Sequence, residues 1–333
     1  MQKFLNRPDA FVDEMLEGLI LANPTRIRAL DDEPRAIVAI REGTPDRVTI
    51  ATGGGSGHLP LFVGYVGAGL VDGCAVGNVF ASPSTDQMLA VTRAIDSGRG
   101  VLYVYGNYGG DRMNFEAAAE IARDEGIEVR TLRGADDVAS GPKERAANRR
   151  GVAGIVFGYK IAGAAAQAGC DLAEVERLTS LALSNTRSMG VALAPCILPA
   201  VGRPGFSVEP GEMEIGMGIH GEPGVRRGPL LEADVIVDDL VARILADLEP
   251  AAGTDVAVLV NGLGSTPLEE LHILYRRANR RLVEAGLNIK RTYIGEFATS
   301  LEMAGASISV MRLWPGALEL LDAPCHMAEA FRG

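Results

Sequence analysis

The chain has 333 residues and a net charge of −11, with 47% hydrophobic and 23% charged residues. Such a length exceeds what one hydrophobic core organises, so two globular domains are expected. The acidic balance, with no local Lys/Arg block, excludes an electrostatic nucleic-acid footprint.

The opening stretch "MQKFLNRPDAFVDEMLEG" mixes Pro, Asp and Glu and does not read as a signal peptide. The most apolar run, "VALAPCILPAV", is too short to span a bilayer and carries two prolines. Cys74, Cys170, Cys196 and Cys325 are scattered with no CxxC pair, as for small buried hydrophobes in a reducing compartment. A cytoplasmic protein without membrane contact is expected.

In chain order, short β-branched runs with glycine-rich ends come first: "RVTIATGG", "VDGCAVGNV", "GVLYVYGNYGG" and "IEVRTLRG". Helix-like segments lie between them, "PSTDQMLAVTRAID" and "MNFEAAAEIARDEG"; in the latter Phe115, Ala118, Ala119 and Ala122 share one face. Strand alternating with helix predicts βαβ units, a mostly parallel sheet and a ligand crevice beyond the strand C-terminal ends. "TGGGSGH", "GNVFASPS" and "GNYGGD" all fall at such ends and are expected to converge as loops on one pocket. The Ala/Leu-rich segment after Arg150 reads as one or two helices closing a domain over 1–188.

A second α/β domain is expected over 189–333. Its strand-like runs are "GVALAPCILPAV", "EMEIGMGIHG", "TDVAVLVNGLG", "NIKRTYIGEF" and "SISVMRLW", with helices at "LEADVIVDDLVARILADL" and "TPLEELHILYRRANRRLVEAG". The fold class is thus α/β, two domains, each a sheet flanked by helices.

Generic nucleotide and nucleophile motifs fail. No Walker A loop occurs: "GIVFGYK" lacks the Lys directly after its second glycine. "GGSGH" misses the nucleophile elbow because His58 replaces the last glycine. "GMGIHG" fits GxGxxG, but "EPGVRRGP" after it cannot comfortably begin the required helix, which disfavours a Rossmann dehydrogenase.

Three residues stand out chemically. His58 ends the glycine run and precedes Pro60, a favoured first helical residue, so loop and helix-start N–H groups could meet ligand oxygens. His220, in "GIHGEPG", sits between glycines that leave its ring accessible as nucleophile, acid or base; a satisfied turn histidine is the plainer alternative, and the residues leave both open. Asp111 ends "GNYGGD" and is either a general base toward a substrate hydroxyl or an N-cap. His272 shows ordinary helical periodicity, and His326 has no constellation around it.

Taken together, "KFLNRPDAFVDEMLEGLILANP", "TGGGSGHLP", "GNVFASPS", "NYGGDRMNF", "GVAGIVFGYKIAGAAA" and "MGIHGEPG" resemble the dihydroxyacetone-binding subunits of dihydroxyacetone kinases over nearly the whole chain. The resemblance implies that His220 attacks the ketone carbon of a short ketose to form a covalent hemiaminal, and that His58 and Asp111 complete a catalytic site. It further implies that Gly54 and Gly55 place bare backbone against the substrate. ATP or ADP with magnesium would sit on a separate all-helical kinase subunit, charged by ATP directly or by a phosphotransferase-system protein, and the chain would form a homodimer. A covalent bond to a carbonyl carbon would select ketones over glycerol and hold the terminal hydroxyl for in-line transfer.

Two positions depart from the family pattern: Leu59 replaces a glutamate and Gly106 a lysine. Losing that lysine opens a wall of the pocket, so a larger ketose such as erythrulose or a branched pentulose is expected. The alternative is a non-catalytic ketose sensor that co-activates a transcription regulator, which would not need Asp111.

Overall fold

The structure, a computed structural model, describes residues 3–41, 43 and 45–327. It divides into two compact units, Met1–Arg133 with Gly158–Leu181 and Glu319–Gly333, and Gly134–Phe157 with Ala182–Leu318. This differs from a single cut at 188/189. The units interleave along the chain, which passes between them four times, after Arg133, Phe157, Leu181 and Leu318; the crossings inside "TLRGAD" and "TSLALS" carry no Pro- or Gly-rich linker to mark them.

The first unit contains α1 (Phe11–Ala22), β1 (Ile27–Ala29), β2 (Ala36–Ala39), β3 (Thr49–Ser56), β4 (Gly73–Val79), α2 (Thr85–Ile95), β5 (Val101–Gly106), α3 (Gly109–Asp124) and β6 (Val129–Gly134). Most of α4 (Ile155–Gln167), from Gly158 on, and most of α5 (Leu172–Ser184), up to Leu181, belong to it as well. The sheet order is β1-β2-β4-β3-β5-β6, mostly parallel around β4–β3–β5, with antiparallel β1 and β2 at one margin. Every residue of β3 and β5 is buried, the mark of strands covered on both faces. Phe115, Ala118, Ala119 and Ala122 pack with α2 on Tyr103 and Tyr105, as their helical spacing predicts. Helix α2 starts with a capping box: the Ser84 hydroxyl accepts from the Gln87 N–H, and the Gln87 side chain accepts from the Ser84 N–H.

Strand β3 pairs with β5 only over Thr49–Ala51 but with β4 out to Ser56. The two neighbours β4 and β5 lie on opposite sides of β3, which makes this the point where the strand order reverses. In open α/β sheets that is where ligands bind.

The second unit holds β7 (Thr186–Ala194), β8 (Glu212–Ile215), β9 (Arg226–Pro229), α6 (Ala233–Leu248), β10 (Asp255–Gly262), α7 (Leu268–Glu284), β11 (Asn288–Glu296) and β12 (Ala304–Arg312); the chain returns to the first unit within α8 (Ala317–Asp322). Its sheet runs β11-β10-β12-β7-β8-β9 and is antiparallel except at β10–β11. Val256, Val258 and Val260 alternate onto one face and meet Ile236, Leu240 and Ile244 of α6. Each such fully buried aliphatic side chain contributes about 1.5–3 kcal/mol of transfer free energy. Among the described residues no helix is long and apolar enough to cross a membrane. None of the four cysteines is in a disulfide; Cys74 and Cys196 are buried, but Cys170 and Cys325 are only partly so.

Candidate active site

In the first unit the glycine run is not a loop. Gly53, Gly54 and Gly55 form the end of β3 and register with Ala75, Val76 and Gly77 of β4. The absence of side chains here serves the protein's own packing. A Cβ on Gly53 would lie 2.8 Å from both the Phe115 ring and the Ala75 carbonyl oxygen. One on Gly54 would overlap the Phe62 ring, and one on Gly55 would come within 2.7 Å of the Ala81 amide nitrogen. Below them Thr52 Oγ1 lies 2.8 Å from the hydroxyl of Tyr159 on α4.

His58 follows this strand and is fully buried. Its ring stacks on Phe80, with centroids 4.8 Å apart, and meets the edge of Phe62 at 6.1 Å. Phe80 belongs to "GNVFASPS" and adopts φ +57°, so β4 turns sharply there and lays the ring against the histidine. No α-helix starts at Pro60: a cis Leu59–Pro60 peptide leads through a turn to a short 3₁₀ segment, Val63–Tyr65. The expected helix-start N–H cradle is therefore absent. His58 is instead a histidine in an aromatic clamp.

Asp111 lies in the first turn of α3 and is buried. The N-cap is Tyr108, so Asp111 is not the capping residue that its turn sequence allowed. Burial pushes the Tyr105 hydroxyl up to about 12 and raises Tyr159 well above the usual tyrosine range; the Asp111 charge adds to both shifts. The Asn114 side-chain amide donates to the Pro83 carbonyl at 2.8 Å, and a Cβ on Gly110 would lie 3.0 Å from Ser82. The ends of β3 and β4 thus meet at His58–Phe80, and the β4 turn is tied to the start of α3, as the strand-end motifs predict.

His220 belongs to the second unit, in the turn between β8 and β9. The Gly221 N–H donates to the Gly218 carbonyl at 3.1 Å, and the Gly218 N–H donates to the Glu222 carbonyl at 3.0 Å. No helix follows "GMGIHG"; the chain passes to β9, which removes the dinucleotide fingerprint. His220 Nδ1 lies 2.9 Å from Glu222 Oε1, and the His220 backbone N–H donates to Glu222 Oε2 at 3.0 Å. Arg150 Nη1 stands 3.9 Å from Glu222 Oε2, while Arg150 Nε donates to Asp137 at 2.8 Å. Burial alone would raise the Glu222 carboxyl, but the hydrogen bond and charge of His220, with Arg150, bring it down to about 2.

Sequence reasoning missed Glu222. The available signal was a carboxylate two residues after a histidine in a glycine-framed turn, able to fold back on the ring. His272 is exposed on α7, and His326 is exposed with its backbone N–H on the Ala68 carbonyl.

Residues 17–329 match the Dak1 domain. The chain is 43% identical over 325 residues to the dihydroxyacetone-binding subunit DhaK of PTS-dependent dihydroxyacetone kinase 2 from Listeria innocua, covering 98% of both chains. It is also 43% identical over 331 residues to the L-erythrulose 1-kinase of Mycolicibacterium smegmatis, covering 96% of this chain and 57% of that enzyme. The solved structure of the dihydroxyacetone kinase operon co-activator DhaQ superposes with a TM-score of 0.88 at 34% identity, covering 94% of this chain and 96% of that one. The chain belongs to the Dak1 family, of the type represented by the dihydroxyacetone-binding subunits.

Proposed function

We propose that this chain is the ketose-binding component of a kinase, a phosphotransferase with an alcohol acceptor that works with a nucleotide-carrying partner. The observation that carries the reading is the His220–Glu222 pair: a carboxylate on Nδ1 favours the ring proton there, which gives Nε2 the lone pair that attack on a carbonyl carbon requires. His220 anchors the substrate, Asp111 takes the proton of the terminal hydroxyl, and His58 assists by hydrogen bonding. The backbone of Gly54 and Gly55 borders the substrate, while their Cβ directions are filled by protein. ATP or ADP with magnesium comes from the partner. This fits a chain without a Walker A sequence that spans only 57% of the erythrulose kinase it matches. A homodimer is part of the same proposal.

The similarity to an erythrulose kinase supports a four-carbon ketose, in line with Gly106 at the buried end of β5. The test is a ketose panel with a nucleotide-binding subunit added. The wild type should favour erythrulose over dihydroxyacetone in kcat/KM, and Gly106→Lys should shift that ratio toward dihydroxyacetone. Dihydroxyacetone winning by the same margin in both would discard the larger-ketose assignment. The likeness to the co-activator DhaQ favours a second reading, a ketose sensor. Phosphoryl transfer in the reconstituted assay would discard it.

A further inference from the structure

The turn around His220 contains more order than a nucleophile requires. Gly218 has no room for a Cβ: one there would overlap Glu222 Oε2 and come within 2.6 Å of Arg150 Nη1. Gly221 turns at φ +84°, and a Cβ on it would lie 2.6 Å from the Phe206 ring. Both glycines let the chain close tightly enough for the Glu222 carboxylate to return onto its own histidine.

The two carboxylate oxygens are differently engaged. Oε2 accepts the His220 backbone N–H and faces Arg150; Oε1 is turned to the imidazole Nδ1. Arg150 is itself held by Asp137 through Nε, by the Gly216 carbonyl through Nη2 at 2.9 Å, and by its backbone N–H on Ser140 Oγ. The neighbouring residue Arg149 is almost wholly buried and clamped to Asp247. The carboxylate therefore sits in a rigid frame, and an ionised carboxylate only accepts hydrogen bonds.

We propose that Glu222 is a positioning residue that sets the tautomer of His220, holding the proton on Nδ1 so that the Nε2 lone pair is available to the ketose. This rests on the reading of His220 as the nucleophile. In the capture step Nε2 forms a bond to the carbonyl carbon, and the π pair of the C=O moves to oxygen, which takes a proton from solvent. The ring then carries one positive charge with Nδ1–H still on Glu222, and the carboxylate balances that charge. On release the C–N pair returns to Nε2, the carbonyl re-forms and the proton leaves to solvent.

Glu222→Gln turns this geometry into a test. The amide carbonyl will keep the Oε2 place, which accepts the His220 backbone N–H, so its NH₂ group falls opposite Nδ1 and donates to it. Nδ1 must then be an acceptor, which moves the ring proton to Nε2 and removes the nucleophilic lone pair. In a serine-protease triad the equivalent carboxylate-to-amide change leaves the geometry intact and costs about 10⁴ in kcat through the wrong tautomer.

The experiment uses the full chain. Nitrogen-15 NMR of the His220 ring reads the tautomer without substrate, and ¹³C NMR of C2-labelled dihydroxyacetone reads the rate of capture. The wild type should show an Nδ1–H ring; Glu222→Gln should show an Nε2–H ring, an unchanged melting temperature and capture slowed on the order of 10³-fold or more. Glu222→Asp should recover the Nδ1–H ring and part of the capture rate. An Nε2–H ring in the wild type, or Glu222→Gln capturing ketose at the wild-type rate, would overturn the proposal. If the wild type forms no adduct, the nucleophile reading fails, and the ring spectra alone still decide whether Glu222 sets the tautomer.

Discussion

His58 and Phe80 lie face to face, with centroids 4.8 Å apart and planes within 21° of parallel. Phe80 occupies a left-handed backbone conformation that costs a non-glycine residue roughly 1–2 kcal/mol, so its ring must repay that cost. Phe62 meets the same histidine with its ring near perpendicular, and it fills the space a side chain on Gly54 would need. The glycine run and the buried histidine are two parts of one packing arrangement.

Gly54→Ala should accordingly destabilise the protein by about 1–3 kcal/mol, the cost of overfilling a packed core. Phe62→Leu added to it should restore part of the loss, because the two residues compete for one space. Gly18→Ala, in α1 with open space around its Cβ, should instead be neutral or stabilising by up to about 1 kcal/mol. Urea unfolding of the four proteins reads all of this; equal stabilities for Gly54→Ala and wild type would contradict the packing account.

Asp111→Asn should preserve ketose affinity and lower kcat on the order of 10²-fold or more, as expected when a general base is removed. The N-cap of α3 is Tyr108, so the fold does not rely on Asp111 as a cap, and the melting temperature should hardly move. Parallel losses in affinity and turnover would assign it to binding instead.

Asp247 carries the clearest acid-stability signal. Its carboxyl is lowered to about 2, first by hydrogen bonds from Arg149 and also by Arg187, against the opposing effect of burial. Because its folded value lies below the ordinary one, this contribution is fully present above about pH 4 and is lost as pH falls toward 2. The gap corresponds to about 2 kcal/mol. Asp247→Asn should lower stability at pH 7 by at least that much, since it leaves the buried Arg149 without its carboxylate, and should flatten the acid limb between pH 4 and 2. An acid limb as steep as that of wild type would exclude Asp247 as its source.

Much of this architecture is legible in the residues. The stripe of Phe115, Ala118, Ala119 and Ala122 identified a helix face, and the glycine-rich ends of the β-branched runs marked the ends of β3, β4 and β5. Other features are hidden for physical reasons. Strands β1 and β2 are three and four residues long, too short for alternation to register. Strand β9 is written "RRGP", an exposed edge whose charges and proline look like a loop. The glycines of β3 read as a loop because composition records their missing side chains and not the rings that occupy that space. The Glu222 contact with His220 is hidden because it depends on a turn closure, which becomes visible only when Gly218 and Gly221 are seen to have no room for a Cβ.

The most direct measurement of the central claim is ¹³C NMR of C2-labelled dihydroxyacetone or erythrulose bound to the ¹⁵N-histidine-labelled chain. Covalent anchoring through His220 predicts that the carbonyl resonance is replaced by a tetrahedral carbon showing one-bond coupling to the ring Nε2, and that His220→Ala abolishes it while remaining folded. A bound ketose that keeps its carbonyl resonance in the wild type, or a tetrahedral adduct that persists in His220→Ala, would contradict the account.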